Sequence, residues 1–369
     1  MLTALYIHVP FCEKICVYCD FHKEIATLTK KTKYIDALIK ELIKNKDTLK
    51  NIKTVYIGGG TPSNLPLDLL EKLLEAINEN INITNEVEFS IETNPNDITI
   101  QKALLFSKYN INRVSVGVQT FNNDHLKFLG RTHNKSDVIN AVNNLHKAGI
   151  NNINIDMIFS LVKQTEAELR EDIKEVLKLD ITHLSYYSLI LEEKTTLYHL
   201  YNQNKVSMNS EDIEALMYNI VIDSLVENGF NHYEISNFCK DGFESNHNTI
   251  YWKNLDYLGI GSGSHSLINN KRFYNESNVT KYINDTMNDI DEIKVEYDTE
   301  PLREELIMGL RLLKGININD INTKYNIDLL EDYKELNEFI KKDLLVLDNG
   351  FIHFTRKGLM LGNLVFGIF

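Results

Sequence analysis

Cysteine is scarce in this chain of 369 residues: there are four, and three of them fall between positions 12 and 19. So few thiols, clustered so tightly, do not make a disulfide framework for a chain of this length, and they point to a reducing, cytoplasmic setting. Basic residues are in deficit, with 39 Lys and Arg against 52 Asp and Glu and a formal net charge of −13. That balance argues against a general nucleic-acid binder, which draws its affinity from clustered cations. No apolar run approaches the ~20 residues of a membrane span. The first residues, MLTALYIHVPFC, lack the basic stretch and long apolar run of a signal peptide. There is no internal repeat. The remaining composition, 43% hydrophobic, 25% charged and 9% aromatic, is that of an ordinary folded protein, with room for one large domain and a smaller one.

What is present is alternation. Strand-like runs occur at 4–9, 54–59, 86–92, 113–118, 152–158 and 183–189. Between them lie amphipathic stretches, with Ile35, Leu38, Ile39 and Leu42 at helical spacing and Leu70, Leu73, Leu74 and Ile77 likewise. Six successive βα units predict a parallel sheet, either an open barrel two units short of (βα)8 or a doubly wound sheet. Polar or special residues recur where the strands end: Cys12 after the first, GGGTP after the second, Glu92 at the third, Gln119 at the fourth and Asp156 in the fifth. The carboxyl edge of such strands is where α/β proteins build their sites. Past residue 195 the pattern changes to a helix near 210–228, the segment HYEISNFCKDGFESNHNTIYWKN and a glycine-rich GIGSGSHS. From Pro301 three helical stretches lead to two β runs joined by Asn349-Gly350, a hairpin signal. Helices followed by a hairpin resemble a small winged-helix module. The expected division is 1–195, 196–298 and 299–369.

Cys12, Cys16 and Cys19 have the spacing C-x3-C-x2-C. Structural zinc usually takes four ligands with paired cysteines, and a redox pair needs only C-x-x-C. Most [4Fe-4S] clusters use four thiolates; three would leave one iron with an open position. Buried thiols that merely pack, or zinc completed by Cys239 or a histidine, are the alternatives to a cluster.

The C-x3-C-x2-C loop after a first strand, with Tyr18 before its last cysteine, resembles the radical S-adenosylmethionine superfamily. YIGGGTP, IETNP, GVQTF, LGRTH and NIDMI follow in the order and spacing of its oxygen-independent coproporphyrinogen III oxidase branch. Each motif alone is ordinary, since GGG reads as a tight turn and Arg131 as a surface residue; their joint order carries the resemblance, which spans essentially the whole chain. It implies an open (βα)6 partial TIM barrel with a C-terminal α+β region ending in the winged-helix-like module. It also implies a [4Fe-4S] cluster on Cys12, Cys16 and Cys19. S-adenosylmethionine would be lined by Gly59, Gly60, Thr61, Glu92, Gln119, Arg131 and Asp156, with Tyr6 and Tyr18 nearby. His8 is expected beside the cluster rather than on it.

Two departures separate this chain from the oxidases of that branch. Phe21 stands where they carry a fourth cysteine, and the first strand begins by about residue 4, leaving no room for their N-terminal extension. Both features point to the branch's haem-chaperone subgroup, whose H-N-x-x-Y signature reads here His247-Asn248-Thr249-Ile250-Tyr251, followed by Trp252. The resemblance then implies haem as a ligand and no coproporphyrinogen decarboxylation. Haem would pass to an acceptor protein, with a membrane-associated acceptor among the candidates. Alone, His247 reads as a hydrogen-bonded loop histidine. With the resemblance it becomes a candidate axial ligand, since imidazole is a standard haem ligand, and Tyr251 and Trp252 would offer flat apolar contact. A radical enzyme acting on a tetrapyrrole and a nucleic-acid protein using the winged module are the competing readings. One more departure bears on the cofactor loop rather than the fold: residues 160–165 read Ser-Leu-Val-Lys-Gln-Thr, where the family has G-L-P-G-Q-T.

Overall fold

The computed structural model describes residues 2–290 and 295–369. The expected 196–298 division therefore includes four residues, 291–294, that lie outside the described residues. The first half runs β1 (Ala4–Val9), α1 (Leu28–Asn45), β2 (Thr54–Gly59), α2 (Leu67–Asn80), β3 (Glu88–Thr93), α3 (Ile100–Lys108) and β4 (Arg113–Gln119). It continues through α4 (Asn123–Leu129), α5 (Lys135–Lys147), β5 (Asn152–Phe159), α6 (Glu166–Val176) and β6 (His183–Ser188). Next come α7 (Thr196–Asn202), α8 (Glu211–Glu227), β7 (Asn231–Glu234), β8 (Asn237–Cys239), α9 (Asn246–Trp252), β9 (Tyr257–Ile260), β10 (His265–Ile268), β11 (Lys271–Tyr274), α10 (Val279–Met287) and β12 (Val295–Asp298).

β1 to β6 lie side by side in sequence order and pair in parallel. A doubly wound sheet reverses its strand order at a switch point; here the order never reverses, so the winding is that of a barrel. The sheet is larger than six strands. β9 pairs in parallel with the free side of β1, and β10, β11 and β12 extend it antiparallel, while β8 and β7 continue beyond β6. The twelve-stranded sheet stays open, with β12 at one end and β7 at the other.

The two faces of the parallel strands differ in chemistry. Leu5, Ile7, Val55, Ile57, Phe89, Val114, Val116, Ile153 and Ile155 share one buried core with Ile35, Leu38, Leu70, Leu74 and Leu145 of the helices. Their neighbours one position along, Tyr6 and His8, Tyr56, Ser90 and Glu92, Ser115, Asn154 and Asp156, turn to the other face. A strand side chain alternates sides with a period of two, so one strand builds both the core and a polar concave wall. Several helix starts are set by side-chain caps, including capping boxes of Asn134 with Asp137 on α5 and Thr165 with Glu168 on α6.

The C-terminal segment has a second core of Leu306, Leu310, Ile321, Leu336, Leu345 and Ile352. α11 (Pro301–Gly309), β13 (Ile316–Asn317) and α12 (Ile318–Tyr325) precede the hairpin of β14 (Leu345–Asp348) and β15 (Phe351–Phe354), and β15 sits between β13 and β14. Asn349 and Gly350 both have positive φ, 50° and 82°, as a two-residue hairpin turn requires. Two short helices, Arg356–Met360 and Gly362–Phe366, follow the hairpin and have no counterpart in the sequence reading.

The 160–165 loop keeps the backbone its glycines would favour. Ser160 and Lys163 adopt φ of 57° and 60°, left-handed conformations that cost a residue with a Cβ. The loop is tied by Gln164 N–H to Leu161 O at 2.8 Å and Leu161 N–H to Gln164 Oε1 at 3.2 Å. Lys163 is exposed, so Lys163→Gly should stabilise the protein by about 0.5–1 kcal/mol, net of the entropy that glycine adds to the unfolded chain. Chemical denaturation checks this; a destabilised variant would mean that the Lys163 side chain, not its backbone, holds the loop.

Candidate functional site

Cys12, Cys16 and Cys19 lie on the loop that leaves β1, and the backbone pins that loop. Cys12 N–H donates to Glu24 O at 3.1 Å, Glu24 N–H to Pro10 O at 2.7 Å, Val17 N–H to Leu129 O at 3.2 Å and Thr61 N–H to Phe11 O at 2.9 Å. A Cβ on Gly60 would stand 2.9 Å from Cys12 Sγ. Only glycine lets the end of β2 press this closely on the cysteine loop. The Thr61 hydroxyl donates to Cys12 Sγ at 3.7 Å. Arg131 reaches over from the end of α4. Its Nη1 donates to Cys16 Sγ at 3.7 Å, and its Nη2 to Asn94 Oδ1 at 2.7 Å and to the Gly117 carbonyl. Asn94 in turn donates to Thr61 Oγ1 at 3.4 Å. Strand ends two, three and four are thereby tied to the thiols.

Glu92 accepts from Tyr56 OH at 2.9 Å and from Gly59 N–H at 3.1 Å, and burial pushes its carboxyl up to about 7 despite both donors. Asp156 accepts from Ser115 Oγ at 2.6 Å and Asn154 Nδ2 at 2.8 Å. Gln119 closes β4 at a register shift with φ of 71°, an uncommon conformation for this residue type. Tyr6 OH meets His8 Nδ1 at 3.0 Å, and His8 Nε2 meets His22 O at 2.9 Å. Burial pushes the Tyr18 phenol well up, and its ring packs in the cluster containing Leu129 and Leu161.

His247 lies elsewhere. Its backbone N–H donates to Glu88, the first residue of β3, and its Nδ1 meets Thr54 Oγ1, at the first residue of β2, at 2.8 Å. Its Nε2 meets Tyr251 OH at 2.7 Å, one helical turn along α9. The imidazole is buried, and burial pushes it down to about 3. It therefore sits at the strand starts, on the opposite edge from the cysteines, with both ring nitrogens engaged. The expected axial ligand has no nitrogen open to an iron; the H-N-x-x-Y pair instead locks α9 against the sheet. Tyr251 and Trp252 do face open space, in a cavity of about 480 Å³ whose floor is Tyr6, His8, Gly59 and Glu92 and whose rim includes Phe21. The glycine-rich turn after β9 lines the same cavity through Gly263 and Ser264 and packs on His22, for a Cβ on Gly263 would meet His22 Cδ2 at 2.9 Å.

Residues 6–176 match the Radical SAM superfamily, and 298–361 match the HemN C-terminal domain. The heme chaperone HemW of Lactococcus lactis subsp. lactis is 40% identical over 99% of this chain and 96% of its own length. That of Bacillus subtilis is 36% identical over 100% of this chain and 99% of its own. The chain belongs to the HemW family of the radical SAM superfamily. A solved structure described as coproporphyrinogen III oxidase (HemN) from Escherichia coli superposes with a TM-score of 0.85 at 21% identity, over 100% of this chain and 89% of that one, and so shares the fold.

Radical SAM membership implies a [4Fe-4S] cluster and S-adenosylmethionine, and the donor set fits them. Among the described residues no three His, Cys, Asp or Glu converge tightly enough for a single metal ion. Cys12, Cys16 and Cys19, spaced along one pinned loop, would be the thiolates to hold a cluster. Zinc completed by Cys239 does not fit: that thiol is buried on β8, beyond β6, on a residue in backbone register with His183 at the start of β6. Burial pushes the Cys12 thiol up to about 11, so metal binding there displaces a proton.

Two buried or bonded residues went unread in the sequence: Asn94, which joins Arg131 to Thr61, and Arg113, buried at the start of β4 with its Nε unpartnered among the described residues. For Arg113 the signal was present in the strict polar–apolar alternation of RVSVGVQ, which NINIDM repeats on the next strand. Parallel strands covered on both faces read instead as continuous apolar runs.

Glu92 gives a pH test on the cofactor-free protein. Its folded-state pKa is raised from 4.5 to about 7, so the unfolded chain ionises first and folding loses stability as pH rises across that window. Glu92→Gln cannot ionise. Relative to wild type it should gain up to roughly 3 kcal/mol between the two ends of the window and nothing further above it. Denaturation midpoints measured from pH 4 to 9 check this; a difference independent of pH would place an ionised Glu92 in the folded protein.

Proposed function

We propose that this protein is a haem chaperone of the cytoplasm that binds haem and hands it to an acceptor protein. In this reading residues 1–195 hold a [4Fe-4S] cluster on Cys12, Cys16 and Cys19. They also hold S-adenosylmethionine among Gly59, Gly60, Thr61, Glu92, Gln119, Arg131 and Asp156, with Tyr6 and Tyr18 close by. Residues 196–298 supply the haem wall, and 299–369 cover it through Met308 on α11. Full-length similarity to proteins named heme chaperone supports the reading. The observation that carries it is the cavity itself: its size falls within the range of small-molecule sites, its wall is aromatic, and it opens beside the cysteine loop. Three thiolates leave an iron open for S-adenosylmethionine when both are bound. His247 acts here as the support that holds Tyr251 in the wall.

Phe21 gives the rim apolar character where the oxidases of the branch carry a thiol; it is 74% exposed. A carrier must release its cargo, which a partly open slot allows. The test is anaerobic reconstitution followed by parallel haem titration and a coproporphyrinogen turnover assay. Wild type and Cys239→Ser should assemble one cluster and take up one haem, without decarboxylation, and S-adenosylmethionine should perturb the cluster's paramagnetic resonance signal. Serine at Cys12, Cys16 or Cys19 should cripple cluster assembly. Decarboxylation dependent on the cluster and on S-adenosylmethionine would replace the carrier reading with the enzyme.

A further inference from the structure

Three histidines line the cavity, and two of them hold hydrogen bonds through their rings. Both ring nitrogens of His8 are engaged, and His22 Nε2 meets Ser262 Oγ at 3.2 Å while its ring stacks on His8 at 5.5 Å. The third, His265, opens β10. Its side chain is exposed to the cavity and makes no hydrogen bond among the described residues; its nearest ring neighbour is Tyr274 at 5.4 Å. Two positions along the same strand face, Leu267 is buried with Tyr257 and Ile250, with Tyr251 packed against them. His265 therefore stands at the edge of an aromatic and aliphatic slab.

Arg272, on the adjacent strand β11, is held at the same cavity. Its Nε donates to both Glu304 oxygens at 2.9 and 3.0 Å, its Nη1 to Tyr257 OH at 3.1 Å and its Nη2 to Asn254 Oδ1 at 3.5 Å. Those bonds leave two of its five N–H donors for another acceptor. An open imidazole, a flat apolar wall and an anchored guanidinium with spare donors match a haem's iron, its macrocycle and a propionate respectively.

We propose that His265, not His247, is the axial ligand of haem, with Arg272 receiving a propionate. The assignment rests on the haem-carrier reading above and names its binding site. Burial and the Arg272 charge lower the affinity of His265 for a proton, which keeps the imidazole in the neutral form that metals bind. Loss of His247 would then disturb haem only indirectly, by freeing Tyr251 from the wall.

The test uses the reconstituted full-length protein, with iron and sulfide content measured to confirm an intact cluster. Ferric haem is titrated into wild type, His265→Gly, His265→Tyr and His247→Gln, read by Soret absorption and by the haem's paramagnetic resonance signal. His265→Gly should lose the imidazole signature and regain it on addition of free imidazole. His265→Tyr should replace it with a phenolate spectrum, and His247→Gln should keep it. A wild-type spectrum and affinity in His265→Gly, or a signature lost in His247→Gln and kept in His265→Gly, would overturn the assignment. A wild type that takes up no haem would overturn the carrier reading itself.

Discussion

A strand that is apolar on one face and polar on the other can be buried only if something satisfies the polar face. Unpartnered polar groups inside a protein cost far more than the bonds they could have made. In this chain that constraint organises everything beyond the first half. α9 is laid against the concave wall so that Glu88 and Thr54, buried at the strand starts, find the N–H groups of Asn246 and His247 and the His247 ring. Glu41 reaches Gly261 N–H and Asn275 from the helical side and fixes the glycine-rich turn beside β1. The cavity is the part of the polar face that these additions leave uncovered.

The same logic explains why cluster residues and cavity residues share a floor. Glu92 is bonded to Gly59, whose neighbour Gly60 touches the cysteine loop, while Tyr6 and His8 rise from β1 directly below that loop. Anything bound in the cavity thus rests on Tyr6, Gly59 and Glu92, residues proposed above for S-adenosylmethionine, each held by hydrogen bonds of its own. Satisfied buried networks of this kind hold their members in one arrangement, which is what a loop that must present three thiolates at fixed positions requires.

Much of this was legible before the structure. Period-two strands, helical spacing and the C-x3-C-x2-C loop are local signals, and they located β1 to β6 and the edge that carries Cys12, Gly59 and Glu92, while Arg131 read alone as a surface residue and was singled out only by the resemblance. The rest depends on pairing between distant segments. The placement of β9 beside β1 joins residues some 250 positions apart, and the role of His247 is decided by Thr54, 193 residues away; neither leaves a local trace. His265 was passed over for a similar reason, since its openness is visible only against His8, bonded to Tyr6 and to His22 O, and His22, whose Nε2 meets Ser262.

The central claim is that haem occupies the cavity between the cysteine loop, the end of α9 and the β10–β11 hairpin. Hydrogen–deuterium exchange on the reconstituted protein, with and without one equivalent of haem, tests it most directly. The account predicts slowed exchange in peptides spanning residues 19–25, 251–258 and 263–274 and in the part of α11 around Met308, with little change at the outer helices α3 and α5. Haem uptake accompanied by protection confined to other segments would contradict it.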